Sequence, residues 1–115
     1  MSRRTIVMPE QLRRARRDPR FLAALRERGS EPAIEPGWRA QGRCLEVDPE
    51  VFFPLESPTE AVAICHSCSV RGACLAAALD AGEVDGVWGA TTPDERRAMR
   101  LLWNAPRRRT PVVAR

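Results

Sequence analysis

The chain has 115 residues, a formal net charge of +4, four cysteines, three tryptophans, three phenylalanines and no tyrosine. A chain of this size forms one small domain whose hydrophobic core alone is marginal, so we expect a covalent or metal crosslink. No apolar run could cross a bilayer and no signal-peptide core is present, which predicts a cytoplasmic protein without membrane contact. In that reducing compartment, cysteines serve as metal ligands or redox thiols more often than as permanent disulfides.

Charge is distributed unevenly along the sequence. Residues 1–29 hold nine arginines and three acidic residues, residues 30–95 hold three arginines and twelve acidic residues, and residues 96–115 hold seven arginines and no acidic residue. Basic ends favour contact with a polyanion such as nucleic acid, whereas an acidic centre favours docking on a basic protein surface. We therefore expect two kinds of partner.

Residues 1–37 are predicted to form a basic extension, helical or disordered, outside the folded domain. Pro9 and the pair at residues 18–19 are typical helix starts, so residues 9–28 are predicted to form two helical pieces ending at Gly29. Because such an arginine-rich segment is marginal in water alone, we expect it to fray until it meets a partner. Two prolines in residues 30–37 indicate a linker.

The folded domain is predicted to span residues 38–104, followed by a flexible basic tail at residues 105–115. Residues 38–44 are expected to form a short helix that carries the first cysteine, and Asp48 and Pro49 to start a turn. Phe52 and Phe53 are adjacent rings that no regular helix or strand buries together. We expect this pair to clasp another segment.

The sequence Ser-Pro-Thr-Glu at residues 57–60 predicts a capping box with proline at the first helical position. On the helix that follows, Cys65 and Cys68 share one apolar stripe, so both are expected to point inward. The same helix, if continued, would turn Cys74 away from that stripe. Convergence of the thiols therefore requires a break in the helix, for which Gly72 is the expected place.

Two further helices are predicted, and no strand. One runs from about Ala73 to Ala81 with Gly82 as its left-handed terminator, which places Cys74 in its first turn, where the helix dipole favours a thiolate. The other starts at the capping box of residues 92–95. Its apolar stripe is expected to contain Ala98, Leu101, Leu102 and Ala105, with Arg96, Arg97 and Arg100 on the opposite side.

The spacing of the cysteines is the strongest chemical signal. Twenty residues separate Cys44 from Cys65, two separate Cys65 from Cys68, and five separate Cys68 from Cys74. Structural zinc sites usually use two short knuckles, whereas an iron–sulfur cube accepts dispersed thiolates, so the spacing favours a cluster. Zinc and incidental buried thiols stay open at this point, and His66 is expected to face solvent or to lie behind the ligands.

Several features occur in a fixed order between residues 38 and 103. They are Trp38 six residues before Cys44, the sequence Asp-Pro-Glu-Val-Phe-Phe-Pro at residues 48–54, the remaining cysteines, Gly-Val-Trp-Gly at residues 86–89 and Thr-Pro-Asp-Glu-Arg-Arg at residues 92–97. This combination resembles the WhiB-like family of actinobacterial transcription factors. The resemblance implies an all-α bundle of short helices wrapped around one 4Fe-4S cluster, bound by Cys44, Cys65, Cys68 and Cys74.

The resemblance also implies a regulator rather than an enzyme, responsive to oxygen or nitric oxide, with disulfides in its apo form. Its expected partners are the carboxy-terminal domain of the primary sigma factor of RNA polymerase and promoter DNA, with the chain a monomer outside that complex. The residues expected at the protein partner are Trp38, Phe52, Phe53, Gly86, Val87, Trp88 and Gly89. Those expected at DNA phosphates are Arg96, Arg97, Arg100, Arg107, Arg108 and Arg109.

Two positions depart from the family pattern. Ala90 replaces the second glycine of Gly-Val-Trp-Gly-Gly, which costs stability or changes the turn if that position needs a positive φ. Ser69 replaces a proline after the CxxC. Two alternatives to the function implied by the resemblance stay open. One is a thiol–disulfide oxidoreductase that uses Cys65 and Cys68, and the other is a structural zinc module that binds nucleic acid.

Overall fold

The computed structural model describes residues 6–28, 37–54 and 56–105. The predicted linker (except Gly37) and the predicted tail (except Ala105) lie outside these residues, as does Gly29. The five α-helices are α1 (Pro9–Arg17), α2 (Pro19–Arg28), α3 (Thr59–His66), α4 (Arg71–Ala81) and α5 (Pro93–Asn104). Three 3₁₀ helices, Trp38–Gln41, Arg43–Glu46 and Pro49–Phe52, precede α3.

The all-α class is confirmed. The described residues contain no strand, only one antiparallel bridge between Trp88 and Thr91. Within the same residues, no helix is both long enough and apolar enough to cross a membrane.

Most helix boundaries follow the predicted local chemistry. The Asp18 carboxylate accepts the Arg20 backbone N–H at 2.8 Å and so caps α2. The reciprocal bonds between Thr92 and Glu95, at 2.9 and 3.3 Å, form the predicted capping box of α5. Gly82, with φ 71° and ψ 36°, ends α4 in the left-handed conformation as predicted.

The predicted capping box at residues 57–60 is wrong. Helix α3 begins one residue later than predicted. Its N-cap residue is Pro58, whose side chain makes no capping hydrogen bond. The Ser57 hydroxyl instead accepts the Thr59 backbone N–H at 3.3 Å, which closes a local turn ahead of the helix. The helix retains its predicted inward stripe, because Ala61 and Cys65 are buried.

The principal core joins the two amino-terminal helices to α4 and α5. Its buried residues are Ala15, Phe21, Ala24, Leu75, Ala76, Leu79, Ala98, Met99 and Trp103. The Phe21 and Trp103 rings meet edge to face with centroids 6.3 Å apart. The expectation that residues 9–28 fray outside the folded domain is therefore wrong, since their apolar stripe is completed by α4 and α5.

Helix α5 is rotated relative to the predicted stripe. Met99 and Trp103 are buried, whereas Leu101 is 54% exposed and Ala105 is exposed. The rotation buries the largest ring of the helix, whose indole N–H donates to the Asp80 carboxylate at 2.8 Å. Burial of the Trp103 ring outweighs that of Leu101, because the ring covers more apolar area.

A second, smaller core holds the segment that carries the cysteines. Its buried residues are Phe52, Ala61, Cys65, Val87 and Ala90. The predicted clasp by the two phenylalanines is confirmed, because the Val87 N–H donates to the Phe52 carbonyl at 2.7 Å and the Phe53 ring lies against Gly86. This second core brings the tight turn at residues 86–91 beside α3.

Candidate metal centre

The four cysteines come from four separate places in the fold and line one cavity. Cys44 is exposed on the second 3₁₀ helix, Cys65 is buried near the end of α3, Cys68 is buried just beyond it, and Cys74 is half-buried in α4. All four are free thiols. The structure thus brings the predicted ligand set together, and Ile64 and Val70 supply apolar walls to the cavity.

The break that directs Cys68 and Cys74 to the same cavity lies earlier than predicted. Helix α3 ends at His66 and α4 begins at Arg71, so residues 67–70 make the turn and Gly72 is helical. The Arg71 guanidinium donates to the carbonyls of His66 and Cys68 at 3.1 and 3.0 Å, which satisfies the carboxyl end of α3. The imidazole of His66 is exposed, as predicted.

Gly72 does not have the role predicted for it. A Cβ atom at this position would lie 3.4 Å from the Glu27 Cγ and 3.6 Å from the Ala23 Cβ, which are ordinary van der Waals distances. An alanine would therefore also fit between α2 and α4. Neither the path of the chain nor the approach of the two helices requires a glycine here.

Residues 88–91 form a two-residue hairpin turn. The Trp88 N–H donates to the Thr91 carbonyl at 3.1 Å and the Thr91 N–H donates to the Trp88 carbonyl at 2.9 Å. Gly89 and Ala90 between them have φ values of 55° and 66°, as the central residues of a type I′ turn require. Among the described residues, Ala90 alone combines a side chain with a positive φ. The conformation costs an alanine about 1 kcal/mol relative to glycine.

The amides of this turn face the cysteine sulfurs. Burial raises the pKa of Cys74 to about 12, partly offset by a hydrogen bond from the Gly89 backbone, and the other three cysteines raise it further. Burial also raises the pKa of Cys65, which accepts backbone hydrogen bonds from Ala90 and Gly89. A third N–H, that of Arg43, donates to the Cys68 sulfur at 3.5 Å. Such N–H groups stabilise sulfur that carries negative charge.

Arg96 organises the turn and is not on the surface. Its side chain is fully buried, and its guanidinium donates to the carbonyls of Gly86, Thr91 and Asp85 at 2.7, 2.8 and 3.0 Å. Burial lowers the pKa of Arg96. The prediction that Arg96 contacts DNA is wrong, because a phosphate cannot reach it.

The position of Arg96 in the sequence could have indicated that its side chain faces the preceding loop. Counting from Pro93 as the first residue of α5, Arg96 is the fourth residue, and that position faces the chain entering the helix. A capping box therefore places the fourth side chain against the preceding loop. Here the carbonyls of the preceding loop need hydrogen-bond donors. The arginine side chain supplies them from a position that an apolar side chain usually occupies.

Arg20 reaches the same turn from α2. Its guanidinium donates to the Ala90 carbonyl at 2.6 Å, to the Glu95 carboxylate at 2.9 and 3.0 Å, and to the Asp18 carboxylate. The Asp18 hydrogen bond is the main cause of a raised pKa for Arg20. Burial would raise the pKa of Glu95, but bonds from Arg20 and Thr92 lower it overall. No local sequence pattern indicates this contact between residues 20 and 90.

The surface expected to bind a protein partner is smaller than predicted. Phe52 and Val87 are buried in the second core, and Gly86 and Gly89 are buried in the turn. The side chains of Phe52 and Val87 and the backbone of the two glycines are therefore not available to a partner. Phe53, 54% exposed, and the half-buried rings of Trp38 and Trp88 present apolar surface to solvent.

The other predicted DNA contacts stay predictions, and the structure describes two of these residues. Arg97 pairs with Asp94 at 2.7 Å, and Arg100 donates to the Glu83 carbonyl at 3.4 Å. Both keep part of their surface exposed. Arg107, Arg108 and Arg109 lie outside the described residues.

Comparisons with known proteins agree with this arrangement. A family profile described as Transcription factor WhiB matches residues 38–99. Transcriptional regulator WhiB1 of Bifidobacterium longum is 44% identical over 70 residues, which cover 55% of this chain and 76% of that protein. The WhiB1 regulator of Mycobacterium tuberculosis is 40% identical over 55% of this chain and 83% of its own length. The WhiB regulator of Streptomyces coelicolor is 41% identical over 57% of this chain and 78% of its own length.

The matches span the four cysteines, the hairpin turn and most of α5, and they define a class, the transcriptional regulators. The chain belongs to the WhiB family of transcription factors. Helices α1 and α2 lie outside the residues that the family profile matches.

We predict that Gly89→Ala destabilises the protein much more than Gly82→Ala. Both glycines have positive φ, 55° and 71°. A Cβ on Gly89 would lie 2.7 Å from the Arg71 carbonyl oxygen and from the Leu75 Cβ, whereas a Cβ on Gly82 would meet no atom within 4 Å. We expect the free energy of unfolding to fall by about 1 kcal/mol for Gly82→Ala and by about 2–5 kcal/mol for Gly89→Ala. Urea unfolding under reducing, anaerobic conditions measures both, and equal losses would contradict the close packing.

We predict that Arg96→Gln costs about 3 kcal/mol or more of stability, because it leaves buried carbonyls without a donor. The neighbouring Arg97→Gln removes an exposed ion pair with Asp94 and should cost less than about 1 kcal/mol. Thermal and urea unfolding of the two variants, which have equal charge, provide the comparison. A small loss for Arg96→Gln would show that the loop does not depend on its guanidinium.

Proposed function

We propose that this WhiB-family regulator binds one 4Fe-4S cluster through Cys44, Cys65, Cys68 and Cys74. We further propose that it responds to oxygen or nitric oxide and acts through the primary sigma factor and promoter DNA. The observation that carries the proposal is the single cavity lined by four thiols, with backbone N–H groups bonded to Cys65 and Cys74. When bound, the cluster supplies a reactive redox centre and a crosslink between four segments.

The donor set fits a four-thiolate cluster better than a single zinc ion. The thiols surround the cavity from separate elements, which suits the dispersed corners of an iron–sulfur cube. Four thiolates and an oxidised cube leave a net charge of about −2, which the N–H groups of Arg43, Gly89 and Ala90 partly compensate.

A thiol–disulfide oxidoreductase fits the geometry less well. Such an enzyme needs a thiolate nucleophile that is accessible and has a lowered pKa. Burial raises the pKa of Cys65, the first cysteine of the CxxC, and both cysteines of that motif are buried. The relatives named above are transcriptional regulators, which also favours a regulator.

The proposed sigma-factor surface is centred on Trp88. Its ring is half-buried at the start of the hairpin, and its indole N–H donates to the Asp85 carbonyl at 3.0 Å, which fixes the ring. A ring held in place loses little freedom on binding, which is typical of an interface anchor. Phe53, whose ring packs on Gly86 of the same turn, extends the apolar surface. Loss of the cluster would free the cysteines behind this turn and so alter the docking surface.

The proposed DNA contacts are the partly exposed Arg97 and Arg100, together with Arg107, Arg108 and Arg109. Contacts of arginine with phosphates add salt-dependent affinity without base specificity. Base specificity in the complex then comes from the sigma factor.

We predict that the chain purified without oxygen is coloured and contains about four iron and four sulfide per protein. Cys44→Ser should lose most of the iron and sulfide and lower the unfolding temperature, because it removes one ligand and one crosslink. His66→Ala is the control, since its imidazole is exposed beside the same motif. Metal and sulfide analysis with a visible spectrum decides the matter, and a colourless protein with one zinc ion would exclude the cluster.

We predict that Trp88→Ala weakens binding to the sigma-factor domain by about 2 kcal/mol, a roughly thirtyfold loss, while the cluster spectrum is retained. Val84→Ala, at a side chain 58% exposed a few residues earlier, should change binding little. Titration calorimetry of the cluster-loaded proteins measures both effects. Unchanged affinity for Trp88→Ala would remove Trp88 from the interface.

A further inference from the structure

The outward face of α1 is a concentrated basic surface. Ala15 of this helix is buried at 6% exposure against the principal core. At about 100° per residue, the four arginines of the helix lie within about 100° of the direction opposite Ala15. All four are exposed, and they are Arg13, Arg14, Arg16 and Arg17. We call this set the α1 arginine face.

Three of these guanidinium groups have no partner among the residues that the structure describes. Arg14 pairs with Glu10 at 3.1 Å in an ion pair that is largely exposed on both sides. Within the described part of the chain, the side chains of Arg13, Arg16 and Arg17 have no hydrogen bond, ion pair or ring contact. The α1 arginine face therefore carries net positive charge, and Glu10 is the one described acidic side chain that pairs with it.

Several other arginines among the described residues already have partners. Arg20 and Arg96 hold the hairpin turn, Arg71 caps α3, and Arg28 lies 3.8 Å over the Trp103 ring. Arg97 of α5 pairs with Asp94. A surface cation without a partner is available to an external anion without breaking an internal bond, so α1 is better placed for this than α5.

Helix α1 is also fixed in position. Ala15 belongs to the principal core and Leu12 packs against it, which holds the helix on α5. The Arg20–Asp18 bonds fix the junction with α2 directly after it. The α1 arginine face is therefore presented on a rigid scaffold, and its side chains lose less freedom on binding than those of a disordered segment.

The chemistry of this face matches a nucleic-acid backbone. Arg13 and Arg17 are one helical turn apart, about 6 Å along the axis, and duplex DNA carries one charge per about 1.7 Å. Guanidinium groups bind phosphate through paired hydrogen bonds. A membrane surface fits less well, because an interfacial helix needs an exposed apolar face, and Leu12 and Ala15 face the core instead.

We propose that the α1 arginine face is a sequence-independent contact for the backbone of promoter DNA. This contact rests on the proposed DNA-binding function and adds a surface that lies outside residues 38–99, the part of the chain matched by the family profile. It increases affinity through phosphate contacts and leaves base recognition unchanged.

The test uses the full-length, cluster-loaded protein, with and without the sigma-factor domain, and a fluorescent DNA duplex titrated at several salt concentrations. The variant Arg13→Gln/Arg17→Gln should weaken binding about tenfold or more near 0.1 M salt and reduce the log–log salt slope by about 1.8. Arg13→Lys/Arg17→Lys keeps the charge and should keep the slope. Arg39→Gln/Arg43→Gln removes the same charge from exposed side chains elsewhere and should have the smaller effect. Circular dichroism checks that α1 stays folded.

The outcomes separate the two proposals. If the wild-type protein binds no duplex, with or without the sigma-factor domain, the DNA-binding function itself fails and this contact with it. If the wild type binds and Arg13→Gln/Arg17→Gln binds equally well, only the α1 contact is excluded. Equal losses in both glutamine variants would assign the effect to net charge rather than to α1. A loss of binding to anionic phosphatidylserine vesicles, with DNA binding unchanged, would assign the surface to membranes instead.

Discussion

The candidate site depends on the hydrogen bonds that the fully buried guanidinium of Arg96 donates to loop carbonyls. The loop between α4 and α5 turns through positive φ at Gly86, Gly89 and Ala90, and such a path leaves carbonyls that no helix or sheet can satisfy. Arg96 donates to the carbonyls of three loop residues, and the hairpin amides on the other side of the turn are directed at Cys65 and Cys74. One loop thus meets a cation through the carbonyls of residues 85, 86 and 91 and meets sulfur through the N–H groups of Gly89 and Ala90. Because Arg96 holds the loop on both sides of the hairpin, the position of these N–H groups depends on its bonds.

The amino-terminal helices belong to this arrangement, although they lie outside the family match. Arg20 binds the carbonyl of Ala90, the residue whose N–H bonds to Cys65, and also binds Glu95 at the start of α5. Ala90 occupies a left-handed conformation that favours glycine, and the contact from α2 supports the turn at that strained residue. Phe21 and Ala24 of the same helix complete the principal core. In this chain the fold extends beyond the family pattern, and a change in α2 reaches the cysteine cavity through one hydrogen bond.

Arginine serves several purposes here, and composition does not distinguish them. Arg96 is buried, and Arg20 and Arg71 are bound to carbonyls. Arg13 and Arg17 are exposed and have no partner in the part of the chain that the structure describes. Because the guanidinium group stays charged and presents five donors, it can satisfy several carbonyls at once in a buried loop and can equally bind phosphate at the surface. Arg13 and Arg17 on α1 are thus exposed to an external anion, whereas Arg96 near the start of α5 is not.

Local chemistry in the sequence determined the starts of α2 and α5 and the end of α4, since caps and turn residues act over a few residues, and the order of motifs along the chain indicated the all-α class and the four cysteines. Tertiary structure alone decided the rest. Residues 9–28 fold because α4 and α5 complete their apolar stripe, α5 rotates because Trp103 buries more area than Leu101, and Arg96 is internal because loop carbonyls require it. The hairpin turn around Gly89 and Ala90 became a source of sulfur-directed N–H groups only when α3 and α4 placed Cys65 and Cys74 beside it. Contacts between distant segments have no local signature, because their free energy arises only when both partners are in place.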